Sequence, residues 1–280
     1  MSRKSLEEVM KEWRGSALYW EKHAGTIREM FEPITQAMIE GVEMSDWRTA
    51  LDVAGGTGEP SLAVARKLGP RGMIVCTDGA LEMVATARKE ARVAGLSNIG
   101  FANCIGDSLP FQSDLFDATL SRLGAMFFIE PEAGLREMWR VTKPGGSLLL
   151  AVWGRRELNP FFTIVTDVMA RYLESPPEDP EAPGAFRFCE PGKLASVVER
   201  SLWRDVSERT VDFYIESMLD AKEFWALRSE VSDTLRSKLK KLAPEQAAKV
   251  GEEVESAARV FFPDDRMKLP AQVIIVSARK

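Results

Sequence analysis

Cysteine is scarce in this 280-residue sequence. Cys76, Cys104 and Cys189 are few, odd in number and free of any C-x-x-C spacing. That excludes a disulfide framework and a zinc pattern, so no metal is expected, and it fits a reducing cytosol. Cys76 and Cys104 fall in apolar, strand-like runs and read as small buried hydrophobes. Histidine is scarcer still, with His23 the single one. Long basic runs are missing and the net charge is −5, so neither nucleic acid nor an anionic membrane is an expected partner. Lys238, Lys240 and Lys241 beside Arg236 read as the solvated face of a helix. No apolar run approaches the roughly 20 residues that cross a bilayer. The opening MSRKSLEEVMKEW is too polar for a signal peptide, so the expected location is cytoplasmic. Internal repeats and low-complexity segments are absent too.

What is present is a chain 45% hydrophobic, enough for one large domain or a domain plus a cap. Residues 1–45 read as a helical lid. Ser5 and Glu8 form a capping box, followed by Leu6, Val9, Met10 and Trp13 at helical spacing. A second helix presents Ile27, Met30, Phe31, Ile34 and Met38, with Pro33 expected to kink or divide it. From residue 49 short apolar runs alternate with helices. Strands are expected at 50–53, 73–76, 101–105, 116–120, 147–152, 206–213 and 272–277. Helices are expected at 60–68, 80–94, 132–141 and 193–202. Residues 176–183 read as an exposed loop. Val231, Leu235, Leu239 and Leu242 mark an amphipathic helix, and Pro244 opens another with Val250, Val254 and Phe261 inward. The β-α-β-α alternation predicts an α/β fold, a doubly wound, mostly parallel seven-stranded sheet spanning 46–280. Residues 155–203 and 214–270 exceed what connections need and are expected to supply a substrate cap.

The strongest local signal is LDVAGGTGEPS, Leu51 to Ser61, between a strand and a helix. Gly55, Gly56 and Gly58 permit a sharp turn and close approach of a ligand to the amides of the helix start. A plain strand-to-helix turn is the blander reading. Asp78 ends the second strand, 20 residues past Gly58, where an acid accepts from ribose hydroxyls; a solvated turn Asp is its alternative. A nicotinamide site favours G-x-G-x-x-G, and aligned on Gly56 and Gly58 the third position is Ser61. In GDSLPFQSDLFDATLS, Asp107 is able to accept from an adenine amino group while the Ser108 amide donates to the ring.

These motifs, LDVAGGTG, GDSLPF, LFDATLS and LREMWRVTKPGG in that order, resemble class I S-adenosylmethionine (SAM)-dependent methyltransferases, especially the ubiquinone/menaquinone-biosynthesis C-methyltransferases. The likeness runs from about Leu51 to Gly154 and implies the following roles. Ala54, Gly55, Gly56 and Thr57 cradle the methionine portion, and Asp52 orders that loop. Asp78 holds the ribose, with Gly79 close by and Met83 packing on adenine. Asp107 and Ser108 read the adenine edge. Ser121 and Arg122 approach the methionine carboxylate or the reacting methyl. The relatives carry a small hydroxyl residue where this chain has Arg122, so Arg122 binds an acidic acceptor or forms a structural ion pair. The final strand, LPAQVIIVSARK, resembles the antiparallel last strand of such enzymes.

Methyl transfer from a sulfonium is an in-line displacement needing alignment and exclusion of water; a general base helps only an acceptor that must lose a proton. His23 and Arg122 are the candidate catalytic residues, with a packing histidine as the alternative for His23. Tyr19, Trp20, Met126, Phe127, Trp153, Phe161, Phe162, Phe186, Phe188 and Trp225 are candidate acceptor-pocket residues, each alternatively core. As a group they suggest a small apolar or aromatic acceptor. An NAD(P)-dependent oxidoreductase on a related fold and a non-catalytic SAM-binding regulator or scaffold are the competing functions. The oligomeric state, monomer or homodimer, stays open.

Overall fold

The computed structural model describes residues 5–40, 42, 44, 46–174 and 179–280. Two helices open it, α1 (Leu6–Lys22) and α2 (Ala24–Ile39). The Ser5 and Glu8 capping box forms: the Glu8 amide donates to Ser5 Oγ at 3.3 Å and the Ser5 amide to Glu8 Oε2 at 2.7 Å. Pro33 does not divide α2. Burial of Ile27, Met30, Phe31, Ile34 and Met38 holds the helix in place where the missing amide would otherwise weaken it.

The sheet then builds in βα steps: β1 (Thr49–Val53), α3 (Ser61–Leu68), β2 (Met73–Asp78), α4 (Leu81–Val93), β3 (Ile99–Asn103), β4 (Phe116–Arg122), α5 (Pro131–Val141) and β5 (Thr142–Trp153). The remaining elements are α6 (Pro160–Met169), α7 (Lys193–Arg200), β6 (Arg204–Ser217), α8 (Ala221–Val231), α9 (Asp233–Leu239), α10 (Pro244–Ala258) and β7 (Met267–Arg279). The seven strands lie in the order β3-β2-β1-β4-β5-β7-β6. β1 to β5 are parallel, and β7 runs antiparallel between β5 and β6. Ser147 to Trp153 of β5 are all buried, as a strand covered on both faces must be. β6, at the sheet edge, buries only Ile215.

Some boundaries differ from the sequence reading. The third strand lies at 99–103 rather than 101–105, so Cys104 and Ile105 are free to enter a loop. β6 runs to Ser217 and β7 starts at Met267, taking into the sheet residues at both ends of the 214–270 segment. The expected helix through Val231, Leu235, Leu239 and Leu242 is broken at Ser232, whose hydroxyl accepts from the Leu235 amide at 3.2 Å and caps α9; Leu242 lies beyond that helix. Phe261 follows α10 in a single 3₁₀ turn. Of the loop expected at 176–183, residues 176–178 lie outside the described ones.

Phe128, after β4, shows how tightly the strand ends are packed. A Cβ on Gly106 would sit 2.7 Å from its ring, and one on Gly134 of α5 would sit 2.5 Å away. An alanine inside a helix is ordinarily better than glycine by ~1 kcal/mol. Here overpacking of ~1–3 kcal/mol opposes it. Gly134→Ala is therefore expected to lower stability in urea unfolding, and adding Phe128→Leu is expected to restore most of the loss. A stabilised single variant would show that the ring yields freely.

Candidate active site

The strand order reverses between β1 and β4, so the chain leaves these neighbours in opposite directions and opens a crevice at their carboxyl ends. The segments after β1, β2, β3 and β4, together with α1, line a cleft enclosing about 950 Å³ of empty space including its mouth. Ala54, Gly55, Gly56, Thr57 and Glu59 come from the first loop, Asp78 and Gly79 from the second, Cys104 to Asp107 from the third, and Arg122 to Gly124 with Phe127 to Ile129 from the fourth.

The first loop is held from below. Asp52 is fully buried, and its Oδ2 accepts from Ser61 Oγ at 2.7 Å and the Ser61 amide at 3.2 Å, fixing the start of α3. A Cβ on Gly55 would lie 2.6 Å from that same oxygen and 2.7 Å from Cys76 Sγ, so only glycine fits. Ala54 (φ 59°) and Leu123 (φ 59°) both adopt left-handed conformations at adjoining strand ends. Such strain, ~1–3 kcal/mol per residue, persists where the surroundings enforce it and concentrates at functional sites. Asp78 steadies the loop from the side, accepting from the Gly56 amide at 3.0 Å and the Ala80 amide at 2.9 Å. Burial pushes the Asp52 carboxyl up to about 7, against the lowering pull of Ser61 and Arg122. It pushes Asp78 up to about 6, against backbone amides led by Ala80 and Gly56.

Arg122 joins β4 to α2, donating to the Phe31 carbonyl at 3.1 Å and Thr35 Oγ1 at 2.9 Å. Burial draws its guanidinium below the usual range, opposed by Glu59 and Asp52. Glu59 in turn lies 3.5 Å from Arg28, which also pairs with Glu90.

Helix α1 roofs the cleft with Leu6, Met10, Trp13 and, near its end, Trp20. Trp13 meets Phe127 and Trp20 edge-on, at 5.0 and 5.7 Å between centroids. Polar ties hold the roof down: Trp20 Nε1 donates to the Val231 carbonyl at 3.1 Å, Lys22 pairs with Glu230 at 2.7 Å, and Lys89 pairs with Glu21 at 2.7 Å.

Of the residues singled out in the sequence, Ala54, Gly55, Gly56, Thr57, Asp78, Gly79, Met83, Asp107, Arg122, Trp20 and Phe127 line this cleft. Asp52 and Ser121 lie buried beneath it. The others are elsewhere. Ser108 is exposed and its amide closes a turn onto Ile105 O at 3.3 Å, so it is not directed at a ring in the cleft. His23 sits at the α1–α2 junction, 2.6 Å from Glu230, and is not among the residues lining the cleft. Tyr19 receives the Arg236 guanidinium on its ring. Met126 is core. Trp153, Phe161, Phe162 and Phe186 form an aromatic cluster behind Phe31. Phe188 is buried under Arg187 and Lys193, and Trp225 packs on Gly251. Of the ten expected acceptor-pocket residues Trp20 and Phe127 line the cleft, whereas Trp153, Phe161, Phe162 and Phe186 pack against one another away from it. The sequence reading missed Leu6, Met10, Trp13, Phe31, Glu59, Cys104, Ile105, Gly106, Leu123, Gly124, Phe128 and Ile129 as lining. Glu59 was findable as the acid directly after the glycine loop; the roof residues carried only a helical period.

A model of the ubiE/COQ5 methyltransferase family matches residues 29–168, half of the chain. The chain belongs to that family. It is similar to the ubiquinone/menaquinone biosynthesis C-methyltransferase UbiE of Escherichia fergusonii, at 33% identity over 114 residues, 40% of this chain and 45% of that one. The UbiE of Pasteurella multocida is 32% identical over 115 residues, 41% of this chain and 43% of that one. The chain therefore spans less than half the length of these relatives. Among solved structures, the fold resembles YcgJ of Bacillus subtilis (TM-score 0.56, 17% identity, 89% of this chain and 98% of that one). It also resembles the [4+2]-cyclase SpnF (0.55, 18%, 95% and 95%). A third likeness is to a phosphoethanolamine N-methyltransferase of Haemonchus contortus solved with S-adenosylhomocysteine (0.56, 14%, 93% and 57%). Family membership disfavours the nicotinamide reading. Among the described residues no helix is long and apolar enough to cross a membrane.

The family's cofactor suits this wall. Space is open where a Cβ of Gly56 would stand, so a ligand is able to approach the loop backbone. Asp52 Oδ1 and Ser121 Oγ beneath the loop have no hydrogen-bond partner among the described residues. Three carboxylates, Glu59, Asp78 and Asp107, border the cleft.

The raised carboxyls make stability depend on pH. Folded Asp52 and Asp78 hold protons that their unfolded forms, near 3.8, release. The resulting stabilisation is full below about pH 4 and is lost as pH rises through about 6 and 7. The melting temperature of the ligand-free protein is expected to fall between pH 5 and roughly 7.5, and Asp52→Asn to flatten that fall. Calorimetry across this window tests it; a melting temperature rising with pH would contradict it.

Proposed function

We propose that this protein is a SAM-dependent methyltransferase acting on a small acceptor with an apolar or aromatic body. The observation carrying this is one cleft at the β1/β4 switch point that joins a strained glycine loop, the carboxylates of Asp78 and Asp107 and an aromatic roof. In this reading Ala54 to Thr57 take the methionine portion, Asp78 the ribose hydroxyls, and Asp107 the adenine edge with Met83 beneath it. Asp52 and Ser121 hold the loop and offer their free oxygens to a cationic group. SAM, when bound, supplies an electrophilic methyl on a good leaving group.

The chain's own contribution is alignment and dryness. Trp13, Trp20 and Phe127 lie over the cleft on one side and Phe31, Phe128 and Ile129 stand beside it, so an acceptor's flat face has apolar partners and water is displaced. Arg122 serves in this reading as a brace rather than the acceptor's anchor, since it bonds to α2 and lies within electrostatic reach of Glu59 and Asp52. The UbiE relatives, C-methyltransferases of ubiquinone/menaquinone biosynthesis, support a phenol- or quinol-like ring as acceptor.

Thermal stabilisation by SAM or S-adenosylhomocysteine but not by NAD(P) is the expected result; stabilisation by NAD(P) alone would sink the reading. Release of S-adenosylhomocysteine across a panel of phenols, quinols, amines and carboxylates is also expected, and its complete absence would leave a scaffold role in its place. Asp78→Ala is expected to weaken SAM binding by at least ~1–3 kcal/mol in calorimetry, the scale of charge-assisted hydrogen bonds. Unchanged affinity in a folded variant would remove the ribose contact.

A further inference from the structure

Glu59 stands directly after the glycine loop and lines the cleft, as do Phe31 and Arg122. Its side chain is 9% exposed. Cations surround it, yet among the described residues neither Arg28 nor Arg122 donates a hydrogen bond to it. Arg28 Nε stands 3.5 Å away without a hydrogen-bond partner, and that guanidinium donates to Glu90 instead. Arg122 donates to the Phe31 carbonyl and to Thr35. Burial therefore prevails: it raises the Glu59 carboxyl above its ordinary value, against the lowering pull of Arg122, Arg28, Arg66 and the Ala63 amide. The other titratable groups around it are Asp52 on β1, Cys76 on β2 and, behind Arg28, Glu90 on α4. A carboxyl lifted by burial in a cleft wall has the affinity for protons that a general base needs near neutral pH.

The other two cleft carboxylates are engaged elsewhere. Asp78 accepts from the Gly56 and Ala80 amides, and Asp107 accepts from the Glu130 amide at 3.4 Å. Asp78 ends β2 and Asp107 follows β3, so both belong to one side of β1. Glu59 is grouped with the other side. Its foremost charged neighbour, Arg122, ends β4, and Arg28 lies on α2 one turn before Phe31. With the nucleoside over β2 and β3, the reacting methyl comes to the β4 side, where Glu59 and the Phe31 ring are.

We propose that Glu59 is the general base of the reaction, accepting the hydroxyl proton of a phenol or quinol acceptor. The inference rests on the methyltransferase reading and adds to it the group that receives the proton. A phenol, with a pKa near 10, is a weak nucleophile at neutral pH until that proton leaves. The O–H bond breaks and the proton passes to the Glu59 carboxylate. The freed electron pair, on oxygen or conjugated onto the adjoining ring carbon, forms the bond to the methyl carbon. The pair of the methyl–sulfur bond leaves with sulfur. Where the ring carbon is methylated, its own proton then departs and the O–H re-forms. One proton in all is released to water through Glu59.

Calorimetry on protein saturated with S-adenosylhomocysteine compares 2-naphthol with 2-methoxynaphthalene, which lacks the proton, between about pH 5 and pH 8; a phenol stays protonated throughout. The wild type is expected to bind 2-naphthol roughly tenfold or more tighter at the upper end, the scale of a charge-assisted hydrogen bond. An ionised carboxylate accepts the O–H strongly and a protonated one weakly, so the preference is expected to shrink as pH falls. Glu59→Gln is expected to show a small preference that ignores pH, and Glu59→Asp to keep the pH dependence at reduced size. With SAM and 2-naphthol, release of S-adenosylhomocysteine is expected to fall about 10²–10⁴-fold in Glu59→Gln, the range of general-base catalysis. A wild type that binds both naphthalenes equally or neither, or shows a preference that ignores pH, overturns the proposal. So does a wild type that binds 2-naphthol and releases no product, or a Glu59→Gln protein that keeps the pH-dependent preference. Should Glu59→Gln not fold, the wild type and Glu59→Asp still decide. SAM affinity is measured alongside. A wild type that binds SAM but fails these comparisons refutes this inference alone, whereas one that binds no SAM refutes the reading beneath it.

Discussion

The site depends on a buried carboxylate pressed under a backbone turn. Asp52 stands one residue before the end of β1, and its side chain reaches up to the first residue of α3, so strand and helix are joined at a fixed angle through Ser61. The turn between them passes so close to that carboxylate that residue 55 has no room for a Cβ. Asp78 on the neighbouring strand then takes the Gly56 amide. Two acids thus shape the loop from two directions, and their burial is what lifts both carboxyls above their usual range.

That constraint propagates outward by packing. The fourth strand ends against Ala54, where Gly124 leaves only enough space for the opposing methyl group. Arg122 leaves the same strand end and fastens α2 by its Phe31 carbonyl, which sets the ring of Phe31 between the cleft and the aromatic layer behind it. Helix α1 is fastened separately, by α4 on one side and by α8 and α9 on the other. Its polar ties are few and several are exposed, and exposed pairs contribute ~0–1 kcal/mol each. The roof is therefore held chiefly by Trp13, Trp20 and their neighbours, the same side chains that border the ligand space.

Two arginines illustrate how environment, not residue type, assigns a role. Arg122 was singled out by its position after a strand and found among acids; Arg228 lay in an unremarked helix and is found among rings. Charge composition is blind to this difference, because both count once in the net charge. The lone histidine teaches the same lesson in reverse: rarity drew attention to His23, but its partner Glu230 makes it a helix-junction contact.

Local pattern was enough to read the α/β alternation, the glycine loop, Asp78 and Asp107. Each rests on short-range pattern: two-residue against 3.6-residue periodicity, turns that need glycine, and an acid at a strand end for Asp78 or in the loop after a strand for Asp107. The same pattern did not show which rings face the cleft. Trp153, Phe161, Phe162 and Phe186 carry no sequence mark distinguishing an aromatic core from an aromatic pocket, and they turned out to bury one another. Leu6, Met10 and Trp13 showed a helical period but no destination. Hydrophobic burial is non-directional, so periodicity says which face of a helix seeks cover and nothing about what covers it. The sequence by itself determined the strands, the loop and the acids that shape it. Only the tertiary structure decided which apolar faces meet across the cleft and which arginine, among the described residues, is left without a counter-charge, because both depend on elements more than two hundred residues apart, such as Trp20 and Val231, being brought into contact.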